Sequence, residues 1–98
     1  MTSVLGETED GFMGWIRDYA RYRQWLTFHP LRSKGSEPGW PDLSLCRPPT
    51  LILAELKTDV GRLTADQRVW LEALERCNRL EVHLWRPRHR PEVERMLW

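Results

Sequence analysis

Apolar residues near the beginning of the chain recur every three or four positions, which is the spacing of one face of an α-helix. This pattern predicts a helix over 8–23, with Thr8 able to cap its first turn. A second stretch of helical spacing predicts a helix from Thr64 to about Cys77. Pro91 can begin a last short helix, because proline is favoured in the first turn of a helix.

Four other segments are predicted to be strands, from alternation of apolar and polar residues or from their aromatic and branched side chains. Arg47-Pro48-Pro49-Thr50 separates two of them and is predicted to be a hairpin connection. The order α-β-β-β-α-β-α predicts an α/β fold in which helices flank a small mixed sheet. The predicted strands are 25–29, 42–46, 51–57 and 80–85.

Length and composition are those of one globular domain over residues 1–98, with 41% hydrophobic and 30% charged residues. The net charge is only +1, so the overall balance gives little support for a polyanionic partner. Basic residues do gather in or beside predicted loops, where they can contact phosphates or form an ordinary solvated surface. These residues are Arg32, Lys34, Arg47, Arg62, Arg86, Arg88 and Arg90.

Cys46 and Cys77 lack metal-ligand spacing and are expected to be buried free thiols, which fits a reducing compartment. No signal peptide and no apolar run of transmembrane length is present in the sequence, so we expect an intracellular, cytoplasmic protein without a membrane partner. The six tryptophans are expected first in the core or a dimer interface, and after that as base-stacking platforms.

The predicted strand 51–57 carries an unusual pair of charges at its end. Side chains alternate across a strand, so Glu55 and Lys57 share one face. Burying either charge alone costs several kcal/mol, so they need each other, a metal ion or solvent. A lone Glu-x-Lys is more often a simple ion pair at the end of a strand than part of a site.

Asp42 adds a second carboxylate to this pair. In an antiparallel hairpin the start of the first strand lies beside the end of the second, so Asp42 can approach Glu55 and Lys57. Two adjacent carboxylates repel unless a cation lies between them, and hard oxygen ligands suit Mg²⁺ or Mn²⁺. The lysine can hold an attacking water or stabilise charge on a phosphorane, which predicts phosphodiester hydrolysis. In the alternative, Asp42 only hydrogen-bonds its own loop.

These residues resemble the PD-(D/E)xK nuclease superfamily, here Pro41-Asp42, twelve intervening residues and Glu55-Leu56-Lys57. Further segments between about Thr8 and about Pro87 resemble the VRR-NUC family, which includes small stand-alone phage and bacterial proteins. The segments that carry this likeness are Ser36-Glu37-Pro38-Gly39-Trp40-Pro41-Asp42-Leu43, Ala54-Glu55-Leu56-Lys57, Gly61-Arg62-Leu63-Thr64 and Gln67-Arg68-Val69-Trp70-Leu71.

The resemblance implies a restriction-nuclease-like α-β-β-β-α-β core, dependence on Mg²⁺ or Mn²⁺, and cleavage of structured or branched DNA. Stand-alone members look like Holliday-junction resolvases that act as homodimers. By position, Asp42 and Glu55 are implied as metal ligands, and Lys57 is implied beside the nucleophilic water.

Two further roles are implied by the resemblance, for Gln67 and Glu9. Gln67 is implied as a supporting residue of the site, although Thr64-Ala65-Asp66-Gln67 is also a capping box. A metal-binding glutamate is expected in the N-terminal helix, and Glu9 fits it best, with Glu7 and Asp10 as adjacent alternatives. Acidic residues at this end of a helix are also favoured by its dipole alone.

Arg32, Lys34 and Arg62 flank the motif and are the candidates for contacts with the DNA backbone. The leading hypothesis from the sequence is therefore a metal-dependent endonuclease. The alternatives are a DNA-binding module on the same fold, whose catalysis is lost or depends on a partner, and a structural protein without a nucleic-acid role.

Overall fold

The computed structural model describes residues 6–31 and 37–98, and its helices and strands follow the predicted order. One 3₁₀ turn, Pro87–His89, was not predicted and leads directly into the last helix. The elements are α1 Glu9–Tyr22, β1 Leu26–Phe28, β2 Leu43–Arg47, β3 Thr50–Leu56, α2 Ala65–Glu75, β4 Glu81–Trp85 and α3 Arg90–Leu97.

The four strands form one mixed sheet in the order β1-β2-β3-β4. The first three strands are antiparallel neighbours, and the predicted hairpin is confirmed, with Arg47 paired to Thr50 across its turn. β4 runs parallel to β3. A parallel neighbour requires a crossover connection, which α2 provides. The α/β architecture with a small mixed sheet and flanking helices is thus confirmed.

One face of the sheet carries the main hydrophobic core. Strand alternation points Ile52, Ala54 and Leu56 of β3 to this face, where they pack with residues of α1 and α3. The apolar residues whose helical spacing predicted α1 form the face of that helix that packs on the sheet, where Phe12 and Ile16 are fully buried. The remaining members of this core are Ala20, Trp25, Leu43, Leu45, Trp85, Val93 and Leu97.

The opposite face is covered unevenly. α2 packs against β4 and buries Leu71 and Leu74. At the other edge, Leu26 and Phe28 of β1 are 73% and 63% exposed. Thr27, between them, pairs with the core residue Leu45, so alternation points Leu26 and Phe28 to the face opposite that core. The β1 edge therefore presents an apolar surface to solvent.

Several of the basic residues predicted near loops are bound to the protein itself, which favours the structural reading for them. Arg86 Nη1 donates to the carbonyls of Thr58 and Gly61 at 2.7 Å each, and so braces the loop after β3. The other internally bound arginines are Arg47, which donates to the Arg23 carbonyl, Arg88, which donates to the Asp59 carbonyl, and Arg90, which pairs with Glu7.

Cys46 and Cys77 are free, as expected, but the prediction that they are buried is wrong. Cys46 is half-buried, and Cys77 is exposed beyond the end of α2, because the helix stops at Glu75 rather than near Cys77. Among the described helices, none combines the length and apolarity needed to cross a bilayer.

The loop before β2 is docked against the first turn of α2. Gly39 has a φ of +92°, and a Cβ atom built there would lie 2.4 Å from the backbone carbonyl of Asp66. Trp70 Nε1 in α2 donates to the Pro38 carbonyl at 3.1 Å, on the same loop. Only glycine permits this approach, so Gly39 fixes where the chain enters β2.

We expect Gly39→Ala to lower the free energy of unfolding by about 2 kcal/mol or more, because it adds a backbone clash to an unfavourable φ. Urea denaturation of Gly39→Ala and of the wild type measures this difference. Gly6→Ala is the matched control, since Gly6 also has a positive φ of +84° but a Cβ there meets nothing within 4 Å. An equal loss in both variants would show that the clash contributes nothing.

Candidate active site

The hairpin sets Asp42 across from Glu55. Leu43 pairs with Ala54, so extending this antiparallel register by one residue places Asp42 opposite Glu55. The ladder ends here because Pro41, the next residue outward, has no N–H to donate. Instead, the Leu56 N–H donates to Asp42 Oδ2 at 2.9 Å. Asp42 therefore lies one residue before β2, and its carboxylate is fixed against the end of β3.

Glu55 is a buried acidic residue near the end of β3. Its residue is 1% exposed, and neither Oε1 nor Oε2 has a hydrogen-bond partner among the described residues. Burial, followed by repulsion from the adjacent Asp42 carboxylate, raises the pKa of Glu55 to about 8. Lys57 opposes this shift and Glu9 adds to it. The protein thus holds a carboxyl group in surroundings that disfavour its charge.

Lys57 follows β3 directly and is only 8% exposed. Its backbone N–H donates to the Trp85 carbonyl at 3.1 Å, which continues the pairing of β3 with β4 by one residue. Alternation along the strand puts its side chain on the face of Glu55, as predicted. The loop that follows is the one braced by Arg86, so the backbone on both sides of Lys57 is held in place.

An open cleft of about 810 Å³ lies at this end of the sheet. Asp42 and Lys57 line it, together with Gln67 from α2 and Glu37 from the loop before β2. Asp42, Lys57 and Glu9, the three charged residues that shift the pKa of Glu55, are all among the lining residues. Glu55 is therefore buried next to the charged part of the cleft.

Gln67 forms the predicted capping box and also lies at the cleft. The capping box is confirmed, since Gln67 Oε1 accepts from the Thr64 N–H at 2.9 Å and Thr64 Oγ1 accepts from the Gln67 N–H at 3.1 Å. The same side chain lines the cleft beside Asp42 and Lys57. The cap uses only the amide oxygen, so the amide NH₂ group is not consumed by it.

The acidic residues near the start of α1 fall in two places. Glu9 and Asp10 line the cleft, whereas Glu7 pairs with Arg90. Glu7 is thus bound elsewhere. The candidates for the metal-binding acidic residue of α1 are therefore Glu9 and Asp10. Among residues 6–31 and 37–98, however, no three His, Cys, Asp or Glu side chains come together as a metal-binding group. Glu9 does not complete such a group with Asp42 and Glu55.

The donor set nevertheless fits Mg²⁺ or Mn²⁺. Mg²⁺ is commonly held by one or two carboxylates, keeps several waters and takes phosphate oxygens as further ligands. Asp42 and Glu55 supply two carboxylates, and the Glu55 oxygens lack other partners. A cation there would stabilise the ionised form of Glu55, which burial alone disfavours. Two carboxylates are therefore available to hold the ion, rather than the three that the resemblance implies.

Of the three candidates for contacts with the DNA backbone, only Arg62 lies in the described part of the chain. Arg62 is exposed in the loop before α2 and is not a lining residue of the cleft. Arg32 and Lys34 lie outside the described residues. Conversely, Trp40 lines the cleft, although its sequence position gave it no specific role. The sequence signal that could have indicated this position is that Trp40 lies two residues before Asp42, at the entry to a strand.

Comparisons of the chain with protein-family models, with curated proteins and with solved structures gave no match.

We expect Glu55→Gln to stabilise the metal-free protein increasingly as pH rises. The folded-state pKa lies above the ordinary value of 4.5, so the favourable contribution of Glu55 is complete below pH 4.5 and is lost as pH rises through about 8. Gln mimics the neutral carboxyl group and does not titrate. Urea midpoints of both proteins, measured in EDTA between pH 5 and pH 9, report the difference.

Glu72→Gln on the exposed side of α2 is the control, and its difference from the wild type should not change over this pH range. A stability difference for Glu55→Gln that is constant from pH 5 to pH 9 contradicts the raised pKa.

Proposed function

We propose that this protein is a divalent-metal-dependent endonuclease that hydrolyses phosphodiester bonds in DNA. One observation carries the proposal: Glu55 is buried opposite Asp42 and beside Lys57 at an open cleft, and neither of its carboxylate oxygens has a hydrogen-bond partner within residues 6–31 and 37–98. A structural ion pair alone leaves this arrangement unexplained, because a buried carboxylate without hydrogen bonds is costly.

Asp42 and Glu55 are the residues that would hold Mg²⁺ or Mn²⁺. When bound, the ion supplies Lewis-acid polarisation of a phosphate oxygen and lowers the pKa of a coordinated water. Its presence also removes the repulsion between the two carboxylates. Glu9 and Asp10 contribute negative charge to the same cleft without completing the ligand set.

In this proposal, Lys57 acts on the reacting phosphate. Its ammonium group can hold the attacking water by a hydrogen bond and stabilise negative charge that develops on the phosphate oxygens. The burial of Lys57 strengthens both effects, since electrostatic interactions are stronger away from bulk water. Gln67 supports the site through its amide NH₂ group, which the helix cap leaves unused.

The charge balance of the cleft supports a requirement for cations. Among the described lining residues, the carboxylates of Glu9, Asp10, Glu37 and Asp42 outnumber the single lysine, Lys57. A polyanionic substrate is repelled by such a surface unless metal ions neutralise it. Arg32, Lys34 and Arg62 remain the proposed contacts with the DNA backbone.

The finer parts of the proposal rest on the resemblance to the VRR-NUC family. They are a restriction-nuclease-like topology, selectivity for branched or junction DNA, and a homodimer. The exposed apolar surface of Leu26 and Phe28 on the edge strand β1 supports self-association. The alternative function, a DNA-binding module whose catalysis is lost or needs a partner, is favoured by the lack of a third ligand in the described residues.

We expect Asp42→Asn, Glu55→Gln and Lys57→Met each to reduce DNA cleavage by about 100-fold or more, because each removes a charge needed at the reacting phosphate. Supercoiled plasmid and a synthetic four-way junction are incubated with each variant in Mg²⁺, Mn²⁺ or EDTA. Mn²⁺ should also raise the thermal midpoint of the wild type but not that of Glu55→Gln.

Glu72→Gln should cleave and respond to Mn²⁺ like the wild type. Binding of the junction without cleavage in either metal supports the binding-module alternative instead. Cleavage that survives both Asp42→Asn and Glu55→Gln places the active site elsewhere.

We expect the wild type to have twice the 11.7 kDa mass of one chain in light scattering, and Phe28→Glu to be a monomer. A charge at this position opposes burial of the β1 surface in an interface. Val69→Glu is the matched control, because Val69 is 66% exposed on α2, and it should remain a dimer. A monomeric wild type, or a dimeric Phe28→Glu, contradicts this assignment.

A further inference from the structure

Trp40 is an aromatic residue on the wall of the cleft. It lies two residues before Asp42, with only the buried Pro41 between them. Consecutive Cα atoms are about 3.8 Å apart, so the two Cα atoms are separated by at most roughly 7.6 Å. Both residues line the same cleft, so a strand bound at Asp42 passes close to the segment that carries the indole.

The Trp40 ring is held in place yet remains partly open to solvent. Trp70 packs against it edge-on, with ring centroids 4.9 Å apart and an angle of 84° between the planes. Trp70 is itself fixed by its hydrogen bond to the Pro38 carbonyl, and Gly39 is docked on α2. Despite these contacts, Trp40 is 38% exposed. A rigid, exposed aromatic surface loses little entropy when a ligand stacks on it.

The cleft is lined by apolar as well as charged side chains. Trp40, Met13, Pro30 and Leu31 are apolar lining residues, and the carboxylates and Lys57 are charged ones. A nucleotide likewise combines a flat base of low charge with an anionic phosphate. Bases stack on aromatic side chains without regard to sequence, because every base has a π-face. A base within a paired duplex is not free to stack in this way.

We propose that Trp40 is a stacking platform for an unpaired nucleobase next to the phosphodiester held at Asp42, Glu55 and Lys57. The proposal rests on the proposed nuclease function and specifies its substrate, a DNA strand with at least one unpaired base at the cleft. Trp40 is a binding residue in this arrangement, and it contributes to positioning the strand through the base rather than through the phosphate.

The test measures binding of two fluorescent 12-nucleotide strands, with Ca²⁺ in place of Mg²⁺ to slow hydrolysis. One strand is oligothymidine, and the other has the same backbone but consists wholly of abasic sites. Trp40→Leu, which keeps apolar bulk against Trp70 but has no π-face, should weaken oligothymidine binding about tenfold. It should leave binding of the abasic strand unchanged. Trp40→Phe should retain most of the affinity for oligothymidine.

Trp98→Ala is the matched control. Trp98 is 66% exposed, and its carbonyl accepts from Arg47, which lies five residues, or about 16 Å, along β2 from Asp42. Its removal should leave both affinities unchanged. Equal weakening of both strands by Trp40→Leu, or no weakening of either, overturns the stacking proposal.

Cleavage of plasmid by the wild type is scored separately. If the wild type cleaves DNA but Trp40→Leu weakens binding of both strands equally, or of neither, the stacking site is wrong and the nuclease function stands. If the wild type does not cleave, yet Trp40→Leu selectively loses oligothymidine, the nuclease function is wrong and the stacking site stands.

Discussion

The buried carboxyl group of Glu55 is the constraint around which this end of the molecule is arranged. Both of its oxygens lack hydrogen-bond partners among the described residues, and burial together with Asp42 raises its pKa to about 8. Lys57 compensates only in part, since the net shift remains upward. The fold therefore keeps an acidic group where its charged form is disfavoured, and this is the observation behind the proposed divalent cation, which would reverse the preference.

The topology of the sheet explains how so many elements reach one point. β3 is central, antiparallel to β2 and parallel to β4, so its C-terminal end meets the start of β2 and the end of β4. The crossover through α2 brings the first turn of that helix to the same place, where Gly39 docks on its backbone. Three independent contacts therefore restrict the backbone around Glu55 and Lys57. They are the pairing of β3 with β2, its pairing with β4, and the docking of Gly39 on α2.

Several arginines near the site make hydrogen bonds or ion pairs within the protein itself. Arg86 and Arg88 are bound to the loop 58–61, and Arg90 is paired with Glu7. These guanidinium groups stabilise the backbone around the site, and none of the three is a lining residue of the cleft. The described part of the cleft is acidic. In the proposed function, affinity for a polyanion therefore comes from bound cations, from the proposed basic contacts and from uncharged contacts such as stacking on Trp40.

The sequence by itself determined the order of the elements and the meeting of Asp42, Glu55 and Lys57, because strand alternation and hairpin geometry are local rules. It also indicated the capping box of Gln67 for the same reason. Only the tertiary structure decided that Glu7 pairs with Arg90, that Arg86 braces the loop after β3, and that Trp40 is held on the cleft wall by Trp70. Those outcomes depend on contacts between residues far apart in the chain, which no local pattern encodes.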